Sequence, residues 1–374
     1  MKSTWVHPED QYLLSNAKYL YLPVMRVINT VLLSYGMSGK VFHAPFLAHH
    51  KGFHLTGAWE RTKKIIATDY PGTSSYSSLE HVLADPEVDL VVINTPTSTH
   101  AEFASKALHA EKHVLVEKAF TTNTLEAVAL TKLAALRGLK LSVFHNRRYD
   151  SDLKTVQQVL AGKELGEVAE VLIAYERFNP VLSPKLHRET PGPGAGNLMD
   201  LGPHCIDQAL VLFGMPDAVF ADVRSCRPGS QVDDYFDILL YYPTLRVRLK
   251  SSYLVREAGP GFALHGSKGS FLKGRSDVQE TQLKQGMNPY DPSFGIEPAS
   301  LFGMLHTEVD GKAARGPVQS LPGNYMEFYD QLYVSITENA PVPVSPEDAT
   351  NVMRVIDAAR ESNRIAAIVR LEKE

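Results

Sequence analysis

A charged pair directly follows a buried strand in the first third of the chain. Residues 88–120 read VDLVVINTPTSTHAEFASKALHAEKHVLVEKAF. The apolar runs Leu90–Ile93 and Val114–Val116 are short and β-branched, as is typical of parallel strands that are buried on both faces. Glu117 and Lys118 follow the second run. Ligands bind at the carboxyl ends of the strands in open α/β sheets. We therefore favour a ligand-facing pair over the alternative, a surface turn that happens to carry these two charges.

A loop follows the first apolar run in the same way. Asn94–Thr99 contains a proline and small hydroxyl residues, which end the strand, and His100 begins a segment with helical spacing that extends to Ala110. Phe103, Ala104, Ala107 and Leu108 form the apolar stripe of that segment. The β-turn-α-β pattern therefore predicts that this loop and the charged pair lie at one edge of a sheet.

A second candidate for chemistry lies in the middle of the chain. A glycine-rich loop, Gly192–Gly196, leads to Asp200, Pro203 and His204. Pro203 suits the first position of a helix, so His204 would lie in its first turn. The helix dipole there helps to keep an imidazole neutral, as a general base requires, and Asp200 is placed to orient a ring nitrogen or balance a charge. The alternative, slightly favoured from these residues alone, is a helix cap beside a core histidine.

The first predicted strand, Arg26–Leu33, is followed by a sequence similar to a dinucleotide-binding turn. That turn is Ser34-Tyr35-Gly36-Met37-Ser38-Gly39, which has the spacing Gly-x-Gly-x-x-Gly with serine at the first glycine. Gly36 would let the backbone approach a pyrophosphate, and Gly39 would let the helix pack closely on the strand. Glu60 follows the second predicted strand, 24 residues after Gly36, where an acid can bind the ribose. The alternative for Glu60 is a solvated turn residue.

The choice between NAD and NADP depends on the residues around Glu60. A carboxylate there would repel a 2′-phosphate, whereas Arg61, Lys63 and Lys64 beside it could bind that phosphate. We expect NAD(P) and lean slightly to NAD.

The order of elements predicts two domains in a chain of 374 residues. Strands and helices alternate up to residue 148, which favours a doubly wound parallel sheet. Alternating strands such as Arg246–Lys250 then indicate a half-buried antiparallel sheet, and therefore an α+β domain. We assign 1–24 to an N-terminal arm or an over-long gene start, 25–148 to the first domain and 149–374 to the second. The last helices, Tyr325–Glu338 and Pro346–Ile368, can return to the first domain. Lys273–Pro322 is polar and rich in glycine and proline, and we predict that it contains many loops.

Basic residues follow the last predicted strand of the first domain. Asn146, Arg147 and Arg148 come directly after Leu141–Phe144 and His145. The two arginines could bind a phosphate or substrate, or form a salt-bridge cluster between the domains. The sequence leaves both possibilities open.

Composition narrows the class of protein. A net charge of -4 and a pI near 6.4 give no reason to expect a nucleic-acid partner. No apolar run approaches the roughly 20 residues that a membrane helix needs. The two cysteines lack metal-type spacing, so we expect no metal. Because a disulfide framework is unlikely with only two cysteines, we expect a reducing, cytoplasmic location.

From about Val27 to Ile365 the chain resembles the Gfo/Idh/MocA oxidoreductases, whose members include glucose-fructose oxidoreductase and inositol dehydrogenase. The resemblance rests on three signatures in order: the glycine loop, Glu117-Lys118-Ala119 in place of Glu-Lys-Pro, and Asp200-x-x-x-His204. Asn94–His100 looks like the family loop that lies against the cofactor. Gly36–Phe46 and His145–Asp150 resemble a branch that includes scyllo-inositol dehydrogenases.

The resemblance implies a Rossmann domain, an open antiparallel sheet and an active site between them. It implies hydride transfer between nicotinamide C4 and a secondary alcohol or ketone of a sugar, inositol or related polyol. His204 would take the alcohol proton, Lys118 would bind the reacting oxygen, Asp200 would position the substrate or His204, and Glu117 would fix Lys118. A homodimer or homotetramer through the sheet is expected. The cofactor-binding residues it implies are Ser34, Tyr35, Gly36, Met37, Ser38, Gly39, Glu60, Arg61, Asn94, Thr95, Pro96, Thr97, His100, Glu117, Asn146 and Arg147. Substrate contacts are expected from Arg188 and Asp200.

Two positions depart from the family pattern. Ser34 replaces a glycine whose turn can need a positive φ, so the turn could bind its cofactor less well or use the Ser34 hydroxyl. Ala119 replaces a proline that often follows a cis bond. Because a cis bond before alanine costs about 2.5–4 kcal/mol, we predict a trans Lys118–Ala119 bond with the lysine side chain re-aimed.

The rival function is a cofactor-binding sensor without turnover.

Overall fold

A six-stranded parallel sheet forms the first half of the computed structural model, which describes residues 26–183 and 189–372. The strand order is β3-β2-β1-β4-β5-β6, so the chain winds outward in both directions from β1. This confirms the predicted doubly wound sheet. The predicted arm, residues 1–24, lies outside the described residues. The strands are β1 Ile28–Leu32, β2 Phe53–Trp59, β3 Ser74–Tyr76, β4 Leu90–Ile93, β5 His113–Val116 and β6 Leu141–Val143.

Local sequence signals set the ends of the helices around this sheet. The Asn123 side chain accepts a hydrogen bond from the Glu126 amide and so caps a helix, which Gly138 ends with a φ of 64°. A π-helical turn, Gly39–His43, precedes the first α-helix. The α-helices of this half are Ala44–His49, Ile66–Asp69, Leu79–Ala84, His100–His109 and Thr124–Arg137.

The second half is built on a nine-stranded sheet of order β14-β13-β12-β11-β7-β10-β9-β8-β15. Its neighbouring strands are antiparallel except β7 and β10, which are parallel. The predicted open antiparallel sheet is therefore confirmed as a mostly antiparallel one. The strands are β7 Val168–Ala174, β8 Ala218–Arg224, β9 Tyr235–Tyr241, β10 Arg246–Ser252, β11 Phe262–Gly266, β12 Ser270–Lys273, β13 Gly303–Val309, β14 Lys312–Val318 and β15 Val369–Arg370.

The segment Lys273–Pro322, in which the sequence predicted many loops, also contains regular elements that the sequence analysis did not include. This segment contains the hairpin of β13 and β14 and the helix Gln279–Lys284. Strand β14 (KAARGPV) is mostly exposed at the sheet edge, so its sequence lacks the alternation that marks a half-buried strand. Pairing with β13, rather than side-chain pattern, makes it a strand.

Helices join the two sheets. Pro346–Ile365 contacts both β8 and the helix Thr124–Arg137, and the Asp357 carboxylate accepts hydrogen bonds from the amide and hydroxyl of Thr124. Met326–Glu338 packs on the first half, where Tyr329 stacks on Phe46 with ring centroids 5.1 Å apart. The remaining long helices, Ser151–Gly162 and Gly202–Phe213, pack on the nine-stranded sheet. No helix in the described part of the chain is long and apolar enough to cross a membrane.

Candidate active site

A cavity of about 1070 Å³ lies at the carboxyl ends of the parallel strands, where the loops of the first half face those of the second. Loops 34–38 and 94–98 line one side with the pair Glu117-Lys118. Residues 175–183 and 193–201 line the other side. The strand ends that the sequence singled out therefore open into a single cleft.

The cavity wall contains most of the predicted site residues and excludes a few. Those that line it are Ser34, Gly36, Met37, Ser38, Asn94, Thr95, Pro96, Thr97, Glu117, Lys118, Asn146, Arg147, Asp200 and His204. Tyr35, Gly39, Glu60, Arg61 and His100 are not part of the wall. Arg188, a predicted substrate contact, lies outside the described residues.

The turn after β1 depends on Gly39 and on Asn94. A Cβ atom at Gly39 would lie 2.5 Å from the Ser34 carbonyl oxygen, so only glycine fits. The Asn94 side-chain amide donates to that same oxygen at 2.7 Å, while the buried Asn94 Oδ1 has no hydrogen-bond partner among the described residues. Ser34 does not adopt a positive φ. The turn is therefore intact, and its orphaned polar atom fits a bound nucleotide.

Tyr35 and His100 support these loops from behind. The Tyr35 hydroxyl donates to Asp69 at 2.9 Å, and Lys40 donates to the same carboxylate at 2.8 Å. The ring nitrogens of His100 lie 2.9 Å from the Thr95 carbonyl oxygen and 2.8 Å from the Ala119 carbonyl oxygen. His100 therefore ties two cavity loops together.

Glu60 is used inside its own loop. Its carboxylate accepts hydrogen bonds from the amides of Ile65 at 2.9 Å and Ile66 at 3.3 Å and from the Ser75 hydroxyl at 2.5 Å. Glu60 is buried, whereas Arg61, Lys63 and Lys64 are exposed. The structure does not bring the Glu60 carboxylate to the cavity.

Glu117 lies in a buried hydrogen-bond network that sequence reasoning did not include. Its Oε1 lies 3.1 Å from Nε2 of His43 and also accepts from the Ser38 hydroxyl, while Oε2 accepts from the Lys118 amide at 3.1 Å. Burial would raise the pKa of Glu117, but His43, Ser38 and Lys118 together lower it to about 2. His43 in turn contacts the Tyr329 hydroxyl at 2.9 Å. Glu117 is therefore an ionised anchor for the lysine beside it.

Lys118 reaches across the cleft to Asp200. Its ammonium donates to the Asp200 carbonyl oxygen at 2.7 Å and to Oδ1 at 2.9 Å. Asp200 Oδ2 accepts from the Tyr253 hydroxyl at 3.5 Å. The two family-like signatures, one in each half of the chain, therefore meet at a single ion pair.

The prediction of a trans Lys118–Ala119 bond is wrong, because this bond is cis. That prediction weighed only the intrinsic preference of the bond. The structure adds contacts on both sides of it: Ala119 is buried with its carbonyl on His100, and Lys118 points into the cavity towards Asp200. The environment, rather than local preference, determines the conformation here.

His204 lies in the first turn of the helix Gly202–Phe213, as Pro203 predicted. It is 6% exposed and lines the cavity, and its Nδ1 has no hydrogen-bond partner among the described residues. Burial, followed by the positive charges of Lys118 and Arg147, holds the pKa of His204 well below its ordinary value. His204 is therefore a neutral imidazole that can accept a proton. Asp200 is paired with Lys118, and the expected hydrogen bond between Asp200 and His204 does not form at the Nδ1 atom of His204.

The two arginines after β6 form salt bridges. Arg148 holds Asp207 at 2.7 Å and Asp348 at 3.1 Å, which joins the second half to the last helix. Arg147 lines the cavity and holds Glu280 at 2.8 Å. The salt-bridge possibility therefore describes Arg148, and Arg147 combines a salt bridge with a place in the cavity wall.

The part of the cavity wall that comes from the second half of the chain contains polar residues that sequence reasoning missed. They come from strand ends, from loops and from the helix Gln279–Lys284, so no motif marked them. Among them are Tyr175, Arg177, Asn179, Arg227, Tyr253, Glu280 and Lys284. Across the described ranges, no group of three or more His, Cys, Asp or Glu side chains is placed to hold a metal ion.

Comparison with known proteins assigns the family. A profile described as "Oxidoreductase family, NAD-binding Rossmann fold" matches residues 28–145, and the GFO/IDH/MocA C-terminal domain matches residues 153–272. The chain therefore belongs to the Gfo/Idh/MocA oxidoreductases and is an NAD(P)-dependent oxidoreductase.

Relatives and solved structures agree with this assignment. The chain is 34% identical to scyllo-inositol 2-dehydrogenase (NADP(+)) IolW of Bacillus subtilis, over 93% of this chain and 98% of that protein. It is 38% identical to the uncharacterised oxidoreductase YdgJ of Escherichia coli, over 90% and 96% of the two chains. The crystal structure of an oxidoreductase from Bacillus cereus matches with a TM-score of 0.85 and 29% identity, over 93% and 99% of the two chains.

Proposed function

We propose that this protein transfers a hydride between nicotinamide C4 and a secondary alcohol or ketone of a sugar, inositol or related polyol. The observation that carries the proposal is the Lys118–Asp200 ion pair in the same cavity as the neutral His204. A cation and a proton acceptor on opposite halves of a cleft suit the reacting oxygen of an alcohol. The similarity to scyllo-inositol 2-dehydrogenase supports a polyol.

Each residue has a defined task in alcohol oxidation. When bound, the cofactor supplies a nicotinamide C4 that accepts the hydride. His204 takes the hydroxyl proton, because its lowered pKa keeps it neutral. Lys118 donates a hydrogen bond to the oxygen and stabilises the negative charge that develops there. Asp200 holds the lysine ammonium in place, and Glu117 fixes the lysine backbone.

The proposed cofactor is NADP(H), held by the 34–38 turn, Asn94–Thr97 and Glu117. The slight lean to NAD rested on repulsion of a 2′-phosphate by Glu60, but both oxygens of that carboxylate are bound within its own loop. Arg61, Lys63 and Lys64 remain exposed beside it and can bind the 2′-phosphate. The similar enzyme IolW is a scyllo-inositol 2-dehydrogenase (NADP(+)).

Titration with NADPH and NADH tests this choice. We expect NADPH to bind more tightly, and Arg61→Ala with Lys64→Ala to lower NADPH affinity about tenfold, as for a charged hydrogen bond, while NADH affinity changes less. Equal affinity for the two nucleotides in the parent protein would reject the NADP(H) proposal.

The proposed assembly is a homodimer or homotetramer through the outer face of the nine-stranded sheet. Cross-strand register aligns a mostly apolar row of side chains on this outer face, while the neighbouring row is buried against the helices. The outer row consists of Phe220, Leu239, Arg248, Leu172, Ala263, Leu272 and Met304. Phe220 is 38% and Leu272 is 43% exposed. Such an apolar row on one face is typical of a surface that another copy covers.

The proposed compartment is the cytoplasm. Cys205 and Cys226 are both free thiols, and a reducing compartment keeps cysteines in that state.

A cofactor-binding sensor without turnover is the rival function. The intact turn would serve both functions, but a sensor has no use for a cation and a proton acceptor in the same cavity. Reduction of NADP⁺ in the presence of scyllo-inositol and related polyols, followed at 340 nm, separates the two functions. Nucleotide binding without any reduction would favour the sensor.

A further inference from the structure

Arg177 differs from the other cations of the cavity. The other four each have a carboxylate partner within 3 Å: Lys118 with Asp200, Arg147 and Lys284 with Glu280, and Arg227 with Glu189. Arg177 lines the same cavity, but none of its nitrogens lies within 4 Å of a carboxylate oxygen in the described parts of the chain. Arg177 therefore feels the negative charge of Asp200 without forming a direct ion pair with a carboxylate in the described parts of the chain.

The position of Arg177 is fixed by its neighbours. Its guanidinium lies 4.9 Å from the centre of the Tyr175 ring, and its backbone amide donates to the Ser252 carbonyl at 2.9 Å. Burial alone would lower the pKa of Arg177, but Tyr175, Asp200 and Tyr253 raise it above its ordinary value. The side chain is therefore charged and held at the substrate end of the cavity, on the side of Asp200.

Two further arginines lie near the same ring, and each has a carboxylate partner of its own, Glu280 for Arg147 and Asp152 for Arg275. The guanidinium groups of Arg147 and Arg275 also lie near the Tyr175 ring, at 5.9 Å and 5.0 Å from its centre. The two carboxylate oxygens of Asp200 already face Lys118 and Tyr253. A neutral polyol would leave the half-buried Arg177 guanidinium without a directly bound anionic group, whereas an acidic polyol would supply one.

We propose that the polyol substrate carries an acidic group, a carboxylate or a phosphate, which Arg177 binds. The planar guanidinium can donate two parallel hydrogen bonds to either group. This inference rests on the proposed oxidoreductase function and narrows its substrate class to acidic sugars or cyclitols. Arg177 acts in specificity, while the proton and hydride steps belong to the residues described above.

Pairs of polyols that differ only in an acidic group test the inference with the full chain and NADP⁺. D-glucuronate and D-glucose 6-phosphate are compared with D-glucose, and myo-inositol 1-phosphate with myo-inositol. We expect kcat/KM to be at least tenfold higher for an acidic member than for its neutral counterpart. The carboxylate and phosphate arms identify which group is bound.

Substitution of Arg177 gives the residue-level test. Arg177→Gln should lower the ratio of acidic to neutral kcat/KM about tenfold to a hundredfold, mainly through KM, because a charged hydrogen bond is lost. Arg177→Lys should retain part of the preference. The matched control is Arg256→Gln, since Arg256 also stacks on an aromatic ring, that of Phe178 at 3.9 Å, but lies outside the cavity wall. Circular dichroism melts verify that each variant is folded.

The outcomes separate this inference from the proposed function. Turnover of neutral polyols that equals or exceeds that of the acidic ones, or an equal loss for both classes in Arg177→Gln, would overturn the inference and keep the function. If no polyol is turned over, but calorimetry shows that D-glucuronate binds to the parent protein and not to Arg177→Gln, the proposed function is overturned and the inference about Arg177 is kept. If no polyol is turned over and no acidic polyol binds, both the proposed function and the inference are overturned.

Discussion

The ammonium of Lys118 donates to both the carbonyl oxygen and Oδ1 of Asp200, at 2.7 and 2.9 Å, although the two residues are 82 positions apart. Each comes from a different half of the chain, and each is at the edge of the same cavity. This ion pair therefore couples the alignment of the two halves to the geometry of the site.

Lys118→Ala should lower kcat by about 100-fold or more, because loss of one donor to a developing oxyanion typically costs 10²–10³-fold. Nucleotide affinity should change little, since the 34–38 turn and Asn94 remain. Steady-state kinetics and NADPH titration measure the two effects. Lys106→Ala, which removes an exposed lysine paired with Glu102, is the control. Equal kcat values for Lys118→Ala and the parent would remove Lys118 from the mechanism.

The pH profile should report His204. Its lowered pKa keeps the imidazole in the proton-accepting form at pH 6.5 and above, so kcat/KM for alcohol oxidation should fall only below pH 6.5. His204→Asn should lower kcat by about 10²–10⁴-fold, the usual contribution of a general base, and abolish this acid limb. A profile centred at or above pH 6.5, or one unchanged in His204→Asn, would argue for another base.

Glu117→Gln should destabilise the fold by about 3–5 kcal/mol at pH 7, because it removes a buried carboxylate charge that accepts hydrogen bonds from the Ser38 hydroxyl and the Lys118 amide. The folded pKa of about 2 is below the ordinary value of 4.5, so this stability is present above pH 4.5 and is lost as the pH falls through 2. Urea unfolding at pH 7 and pH 4 should show a difference that shrinks at the lower pH. Glu102→Gln, in an exposed pair, should cost less than about 1 kcal/mol. A similar small cost for Glu117→Gln would show that the network does not stabilise the charge of Glu117.

Leu272→Glu should dissociate the proposed oligomer, since it places a charge in the outer row of the nine-stranded sheet. Light scattering after size-exclusion chromatography measures the mass. Leu125→Glu changes an 82% exposed leucine on a helix and should leave the mass unchanged. A parent protein that is monomeric, or a Leu272→Glu variant with the parent mass, would rule out this face.

Local pattern was enough to predict the elements that carry the site. The apolar runs Leu90–Ile93 and Val114–Val116 are strands as predicted, and Pro203 placed His204 correctly, because periodicity and caps are encoded locally. What the pattern could not provide was the partner of each group. Glu60 is an example, because its carboxylate accepts hydrogen bonds from the Ile65 amide and the Ser75 hydroxyl within its own loop.

Contacts between distant segments account for the errors. The Lys118–Ala119 bond is cis within an environment supplied by His100 and Asp200, which no local preference describes. His43 and Arg177 lacked a motif and were therefore missed. Only the folded chain places them beside Glu117 and Tyr175.

Transfer of deuterium from a polyol to the nicotinamide ring tests the proposed hydride transfer itself. The protein is incubated with NADP⁺ and scyllo-inositol or an acidic sugar deuterated at its carbinol carbons, and the reduced nucleotide is analysed by mass spectrometry. We expect deuterium at nicotinamide C4, formed by the parent protein and, in the same time, about 100-fold more slowly by Lys118→Ala. Tight binding of NADP⁺ without deuterium transfer from any neutral or acidic polyol would contradict it.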